Sequence, residues 1–204
     1  NYLSANCVSD YLIVTANYDC LMEKALDALN VPFAAVTMLR SDGKIHVRFC
    51  DTLSNLKDQN PPTYPNHFTL QRRNPLVLLY KIHACLHEQY QSSQDSVVIS
   101  DEDYVRYLSR MADNNGVVPA AVKTIMSRKP CLFLGYSLND WNVRSIFQKI
   151  TETRGDDFDV KDYSVTFRLS RFEEAYCERK KIDVLKTDLA SFVKLVEAKR
   201  PTAA

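Results

Sequence analysis

The chain alternates between short uncharged runs and longer amphipathic stretches, and this alternation sets the fold expected of it. Leu12-Ile13-Val14 is apolar and β-branched, which predicts a strand. From residue 20 to residue 29 the period changes, and Leu21, Met22, Ala25, Leu26 and Leu29 share one face of a predicted helix. Residues 34–39 and 44–49 flank Ser41-Asp42-Gly43, turn chemistry that predicts a hairpin. Residues 57–66 carry Pro61, Pro62 and Pro65 and predict a loop. Residues 76–82 form a strongly apolar strand, interrupted only near its end by Lys81. Residues 97–99 predict a short strand. Ser100 with Asp103 then predicts the N-cap of a helix that carries Tyr104, Leu108 and Met111. A helix over 117–126 and a buried strand over 131–134 come next. Asn139 or Asp140 caps a helix bearing Val143, Ile146, Phe147 and Ile150, with Gly155 as its stop. A strand over 163–169, a helix over 172–180, a strand over 182–185 and a last helix with Leu189, Phe192, Val193 and Val196 complete the pattern.

Short, uncharged strands separated by helices predict the α/β class: a three-layer, Rossmann-like, mostly parallel sheet with helices on both faces. The whole chain, 1–204, is expected to form a single domain of this type. The hairpin and the Pro-rich loop, about 31–74, read as an insertion into it.

Composition narrows the partners more than it narrows the fold. A net charge of +1 implies neither nucleic acid nor a membrane surface as a partner. No apolar run approaches the ~20 residues of a membrane span. Asn1-Tyr2-Leu3-Ser4 has neither the basic nor the apolar region of a signal peptide, and no initiator Met, so the chain is expected to start inside a longer protein. The six cysteines, Cys7, Cys20, Cys50, Cys85, Cys131 and Cys177, are dispersed, and no two form a Cys-x-x-Cys pair. Buried reduced thiols in a reducing cytoplasm are expected, and no metal site.

Three constellations could carry chemistry, and each follows a predicted core strand. Thr15-Ala16-Asn17-Tyr18-Asp19 places an amide and a carboxylate between the first strand and the first helix. Asn17 either makes a turn, with Asp19 as helix cap, or the two orient a ligand or a water. His83 follows the strand ending Leu78-Leu79-Tyr80-Lys81-Ile82. It is either a structural histidine or a general base, for which neutral imidazole is the best side chain near pH 7. Gly135-Tyr136-Ser137-Leu138-Asn139-Asp140 follows the strand at 131–134. Gly135 permits a turn or close approach to a ligand, and Ser137 and Asn139 suit ribose or phosphate oxygens near a helix N-terminus. The alternative is an ordinary loop with Asp140 as cap. A parallel sheet brings the carboxyl ends of its strands to one edge, where ligands of open α/β sheets bind.

These motifs together resemble the sirtuin-like NAD-consuming domains, above all the bacterial branch found in antiviral defence proteins. That family resembles Thr15 to Leu21 in its Thr-x-Asn-Tyr-Asp-x-Leu motif, and Lys81-Ile82-His83-Ala84 in its Lys-Leu-His-Gly. It is also similar at Ser100 to Tyr104, at Phe133 to Asp140 and at the closing strand and helix, 182–196. The resemblance implies NAD as substrate. It implies that Asn17 orients water or substrate, that Thr15 and Asp19 help to hold the nicotinamide half, and that His83 is the catalytic histidine. Gly135, Ser137 and Asn139 then belong to the loop against the cofactor's ribose and phosphates. Three departures stand against that pattern. The family's Gly-rich phosphate loop would precede Asn1, Ala84 replaces the family's glycine, and the cysteine module that binds zinc in the protein deacylases has no counterpart. The last departure favours water over acyl-lysine as the acceptor.

Two classes of function follow. One is an NAD glycohydrolase that acts in antiphage defence by NAD depletion, restrained by neighbouring domains or by homo-oligomerisation. The other is a module that binds NAD, ADP-ribose or a protein without chemistry, a reading supported by Ala84 and by the missing loop.

Overall fold

In the computed structural model the described residues are 11–38, 45–50, 57–58, 77–86, 100–112, 118–136, 141–152, 154 and 161–199. They have the α/β, Rossmann-like arrangement expected, with parallel strands alternating with helices. The chain divides into two compact units, 1–125 and 126–204. The expected strand at 97–99, the hairpin turn at 41–43 and the loop motif from Ser137 to Asp140 lie outside the described residues.

The first unit is built on a five-stranded sheet. Its strands are β1 (Tyr11–Thr15), β2 (Phe33–Met38), β3 (Ile45–Cys50), β4 (Lys57–Asp58) and β5 (Val77–Lys81), in the order β1-β5-β2-β3-β4. β5 lies parallel to both β1 and β2. All five of its residues are buried, as expected of a strand covered on both faces. The hairpin signal was legible: β2 and β3 pair antiparallel, with Met38 opposite Ile45. β2 also pairs with β5 along its length, so this part of the segment read as an insertion is built into the middle of the sheet.

Pleating decides which helix meets which side chains. Val77 and Leu79 share a cluster with Phe33, Ala35 and Cys85, and with Cys20 and Leu26 at helix α1 (Leu21–Ala28). The opposite face of β5 carries Leu78 and Tyr80, both fully buried. Tyr107 of helix α2 (Asp101–Ala112) is buried as well. The expected cap of α2 is present and reciprocal: Asp103 N–H donates to Ser100 Oγ at 3.2 Å, and Ser100 N–H donates to Asp103 Oδ2 at 3.0 Å.

α1 corrects the sequence reading of its own buried face. Leu21 and Leu29 are 65% and 72% exposed, whereas Glu23 is fully buried beside Leu26. The reason lies in β5, whose pleat turns Lys81 to the same face as Val77 and Leu79. A buried ammonium needs a counter-charge, and α1 is rotated to supply one.

The second unit has a three-stranded parallel sheet, β6 (Leu132–Leu134), β7 (Asp162–Thr166) and β8 (Ile182–Lys186). Helix α3 (Ala120–Arg128) runs across the boundary between the units; α4 (Trp141–Thr151), α5 (Arg171–Lys180) and α6 (Leu189–Ala198) belong to the second. Its core gathers Phe133, Val143, Phe147, Tyr176, Cys177 and Ile182, with Phe133 edge-on to Phe147 at 5.1 Å. A buried ion pair anchors β7: Arg154 reaches Asp162 at 2.5 Å, and Asp162 Oδ1 accepts the Cys131 N–H at 2.7 Å. Among the described residues no helix is long and apolar enough to cross a membrane.

Candidate functional site

β1 and β5 end in register, with Thr15 opposite Lys81. Asn17 lies two residues beyond Thr15 and His83 two residues beyond Lys81. The two candidate catalytic residues therefore occupy equivalent positions past the carboxyl ends of neighbouring parallel strands. A backbone bond from Ile82 N–H to the Thr15 carbonyl, 2.9 Å, continues the pairing past the strand ends.

The loop after β1 is held by short-range bonds. Thr15 Oγ1 accepts the Asn17 N–H at 3.1 Å, which turns the chain sharply as the strand ends. Asp19 lies one residue before the N-cap Cys20, which has no side-chain cap bond, and its Oδ1 accepts the Leu21 N–H at 2.9 Å as the chain enters α1. Asn17 and Asp19 are nonetheless both exposed. They open onto a cleft of about 160 Å³ whose polar side is Thr15, Asn17, Asp19 and Lys81 and whose apolar side is Leu21, Met22 and Ala25. This volume is below the roughly 300–1,000 Å³ of pockets that enclose drug-sized ligands. It has room for a group of about one aromatic ring. The apolar residues that face away from the core of α1 thus have a place: three of them wall this cleft.

His83 sits differently. It is buried, its ring stacked on Tyr18 with centroids 5.7 Å apart and planes 29° apart. Tyr107 meets it edge-on at 6.4 Å. His83 is not among the residues that line the cleft. The structure thus brings Thr15, Asn17 and Asp19 to one cleft and stacks the buried His83 on the ring of Tyr18, outside the cleft's lining. Ala84, immediately after His83, is buried with φ +66°, the left-handed conformation in which glycine is at ease.

Two pairs of side chains that matter here, Lys81 with Glu23 and Cys20 with Cys85, were missed from sequence. Lys81 Nζ lies 3.0 Å from Glu23 Oε1 and donates to the Asp19 carbonyl at 2.5 Å; both side chains of the ion pair are fully buried. The ammonium thereby fixes the backbone that carries Asp19. The signal was available: one lysine inside an otherwise apolar strand demands a carboxylate opposite it. Cys20 and Cys85 also lie here, both buried, with Sγ atoms 3.1 Å apart. Cys85 Sγ also donates to the Tyr18 carbonyl at 3.2 Å. Burial, the hydrogen bond to Cys85 and the nearby Glu23 carboxylate push the Cys20 thiol well above its ordinary pKa. Cys20, Glu23 and Cys85 bring possible metal-ligating atoms within 4.8 Å of one another, but Lys81 already places a positive charge on that carboxylate.

The third constellation belongs to the second unit. Gly135 follows β6 with φ +63°, a conformation that calls for glycine, and a Cβ there would meet only the side-chain end of Leu189, Cδ1 at 3.1 Å. Ser137 and Asn139, expected to act with it, lie outside the described residues.

Comparison with protein families gives one finding about this geometry: the family described as the SIR2-like domain matches residues 11–185, a span that begins at β1 and closes within β8. No curated protein matches the chain significantly.

Proposed function

The chain belongs to the SIR2-like domain family, whose members are generally NAD-dependent enzymes, and from that premise we propose that it hydrolyses NAD at the bond between nicotinamide and ribose. The products are nicotinamide and ADP-ribose. The observation that supports this reading is the pairing of strand ends at Thr15 and Lys81, which gives Asn17 and His83 matching offsets past neighbouring strands, with Asn17 at a cleft of ring size.

Cleavage leaves an oxocarbenium-like centre on the ribose. In this reading Asp19, exposed at the cleft, provides negative field for that charge. Asn17 orients the attacking water. His83 accepts the water's proton, and such a base contributes typically ~10²–10⁴-fold. The imidazole, buried between Tyr18 and Tyr107, is reached by substrate only when one of these rings moves. Leu21, Met22 and Ala25 offer an apolar wall for the nicotinamide ring. Water is the acceptor rather than acyl-lysine, in keeping with a sequence that has no Cys-x-x-Cys pair. NAD depletion as an antiviral effector, within a larger cytoplasmic protein or homo-oligomer that restrains it, follows from the resemblance to the defence branch.

One specific observation favours a second reading, a module that binds NAD or ADP-ribose without turning it over: His83 is only 3% exposed, with its ring stacked on Tyr18. Titration calorimetry with NAD, paired with chromatographic detection of nicotinamide, separates the two. Binding with nicotinamide release is the expected outcome. Binding without release supports the module, and absence of both removes NAD from the account.

A further inference from the structure

We propose that Cys20 and Cys85 form a redox-responsive disulfide that ties the segment carrying Asn17 and Asp19 to the segment carrying His83. The two sulfurs are in contact at 3.1 Å although 65 residues separate them in sequence. A disulfide places them at ~2.05 Å, so the bond needs a closure of only about 1 Å. The flanking backbone is already held in a bridging arrangement. Leu86 N–H donates to the Tyr18 carbonyl at 3.0 Å, and Lys81 Nζ donates to the Asp19 carbonyl at 2.5 Å. The two segments cannot drift apart without breaking these bonds, which keeps the thiols in contact.

Burial sets the chemistry of the pair. Cys20 and Cys85 are 5% and 2% exposed, so oxidation is slow and calls for a small, strong oxidant; hydrogen peroxide is the class we name. One sulfur, as thiolate, attacks a peroxide oxygen. The O–O bond breaks, a sulfenic acid forms, and the departing hydroxide takes a proton to become water. The second sulfur then attacks the sulfenyl sulfur; the S–S bond forms, the S–O bond breaks, and the oxygen leaves as water with the second thiol's proton. Two thiols give two electrons to one peroxide, yielding a disulfide and two waters. The resolving thiol lies in contact, so the sulfenic acid is captured before it is oxidised further. In a reducing compartment such a bond is transient, as redox-sensing disulfides are.

The regulatory consequence rests on the hydrolytic reading above. Cys20 follows Asp19 directly and Cys85 follows His83 by two residues, so a pull of about 1 Å is delivered to both sides of the proposed site. Misplacement on that scale costs up to ~10²-fold in rate.

The test treats the full chain, natively folded, with hydrogen peroxide and maps its peptides without reduction. The expected result is a Cys20–Cys85 linked peptide two hydrogens lighter than the reduced pair, reversed by dithiothreitol and absent from Cys20→Ser and Cys85→Ser. Sulfinic acid at either residue with no linked peptide overturns the proposal. So does a divalent metal that co-purifies with the protein, detected by elemental analysis, and is lost in Cys20→Ser. NAD turnover is read on the same samples. A drop of tenfold or more on oxidation, restored by reduction and absent in Cys20→Ser, supports the regulatory part, and equal turnover in both states ends it. A linked peptide in a protein that never releases nicotinamide leaves the disulfide standing and removes the hydrolytic reading.

Discussion

Thr15 and Lys81 are register partners at the last position of two neighbouring parallel strands. Everything proposed for the site depends on that pairing. It sets the loops after β1 and β5 beside each other and gives Asn17 and His83 matching offsets from the sheet. The two residues differ in exposure, Asn17 open to solvent and His83 buried and stacked on Tyr18.

His83→Ala is expected to lower NAD turnover by ~10²–10⁴-fold, the usual weight of a general base. Asn17→Ala removes an exposed amide, so its stability is expected to stay within ~0.5 kcal/mol of the parent while turnover falls. Nicotinamide release, read beside circular dichroism to show that each variant is folded, checks both. Parent-level turnover in His83→Ala would remove the imidazole from the mechanism.

The Glu23–Lys81 pair makes a prediction about stability that does not depend on the reaction. Both side chains are buried, at 0% and 1% exposure, and lie 3.0 Å apart. Removing one partner leaves an uncompensated charge in the core, at a cost of about 3–5 kcal/mol. Lys81→Met and Glu23→Leu are each expected to destabilise by this amount, and the double variant by far less than their sum. A double-mutant cycle in urea measures the coupling. Additive losses would mean that the two charges do not depend on each other. Because Lys81 also holds the Asp19 carbonyl, the double variant is expected to bind NAD less well even where stability recovers.

How much of this was legible in the sequence depends on whether the information was local. Strand and helix periods, the Ser100–Asp103 cap and the β2–β3 hairpin were legible because each is written within a few residues. The family motifs placed Thr15, Asn17, Asp19, His83 and Gly135 at the ends of strands, where the structure has them. The rotation of α1 was not legible, because it is fixed by Lys81, 58 residues beyond Glu23 in the chain. Of the five apolar residues that made a plausible buried face, only Leu26 is buried, because the ion pair turns Leu21, Met22, Ala25 and Leu29 outward. The contact between Cys20 and Cys85 was hidden for the same reason: it arises from strand register, and a dispersed pair of cysteines carries no spacing signal. Nor does sequence say that Tyr18 lies over His83.

Ala84 has φ +66°, at a position where the resembling family carries glycine. The left-handed conformation costs a non-glycine residue about 1–2 kcal/mol. Ala84 is buried, so Ala84→Gly also loses about 0.8 kcal/mol of methyl burial. The strain relieved is the larger quantity, and the variant is expected to gain about 0–1 kcal/mol. Ala84→Val, β-branched at positive φ, is expected to lose several-fold more than that gain. Urea unfolding of the three proteins checks the order, and a clear loss of stability in Ala84→Gly would show that the methyl contact outweighs the strain.

Alkaline pH provides the last test, and it reports on the second unit. Burial, followed by the neighbouring Asp162 carboxylate, pushes the Cys131 thiol up from its ordinary 9.0 to about 12. Between these two values the unfolded chain has released a proton that the folded chain keeps. The folded state therefore binds more protons, and its stability falls as pH rises. The contribution is complete below pH 9 and is lost progressively towards pH 12, with a slope that approaches ~1.4 kcal/mol per pH unit for one thiol. Burial also raises Tyr80, Tyr176 and Cys177, which act in the same direction. Urea unfolding at intervals from pH 8 to pH 10.5 is expected to show a steepening loss in the parent. Cys131→Ala should show a shallower loss by about one proton's worth of slope, with the Arg154–Asp162 pair still in place to hold β7. Identical slopes in parent and variant would mean that the thiol titrates in the folded protein as it does in the unfolded chain.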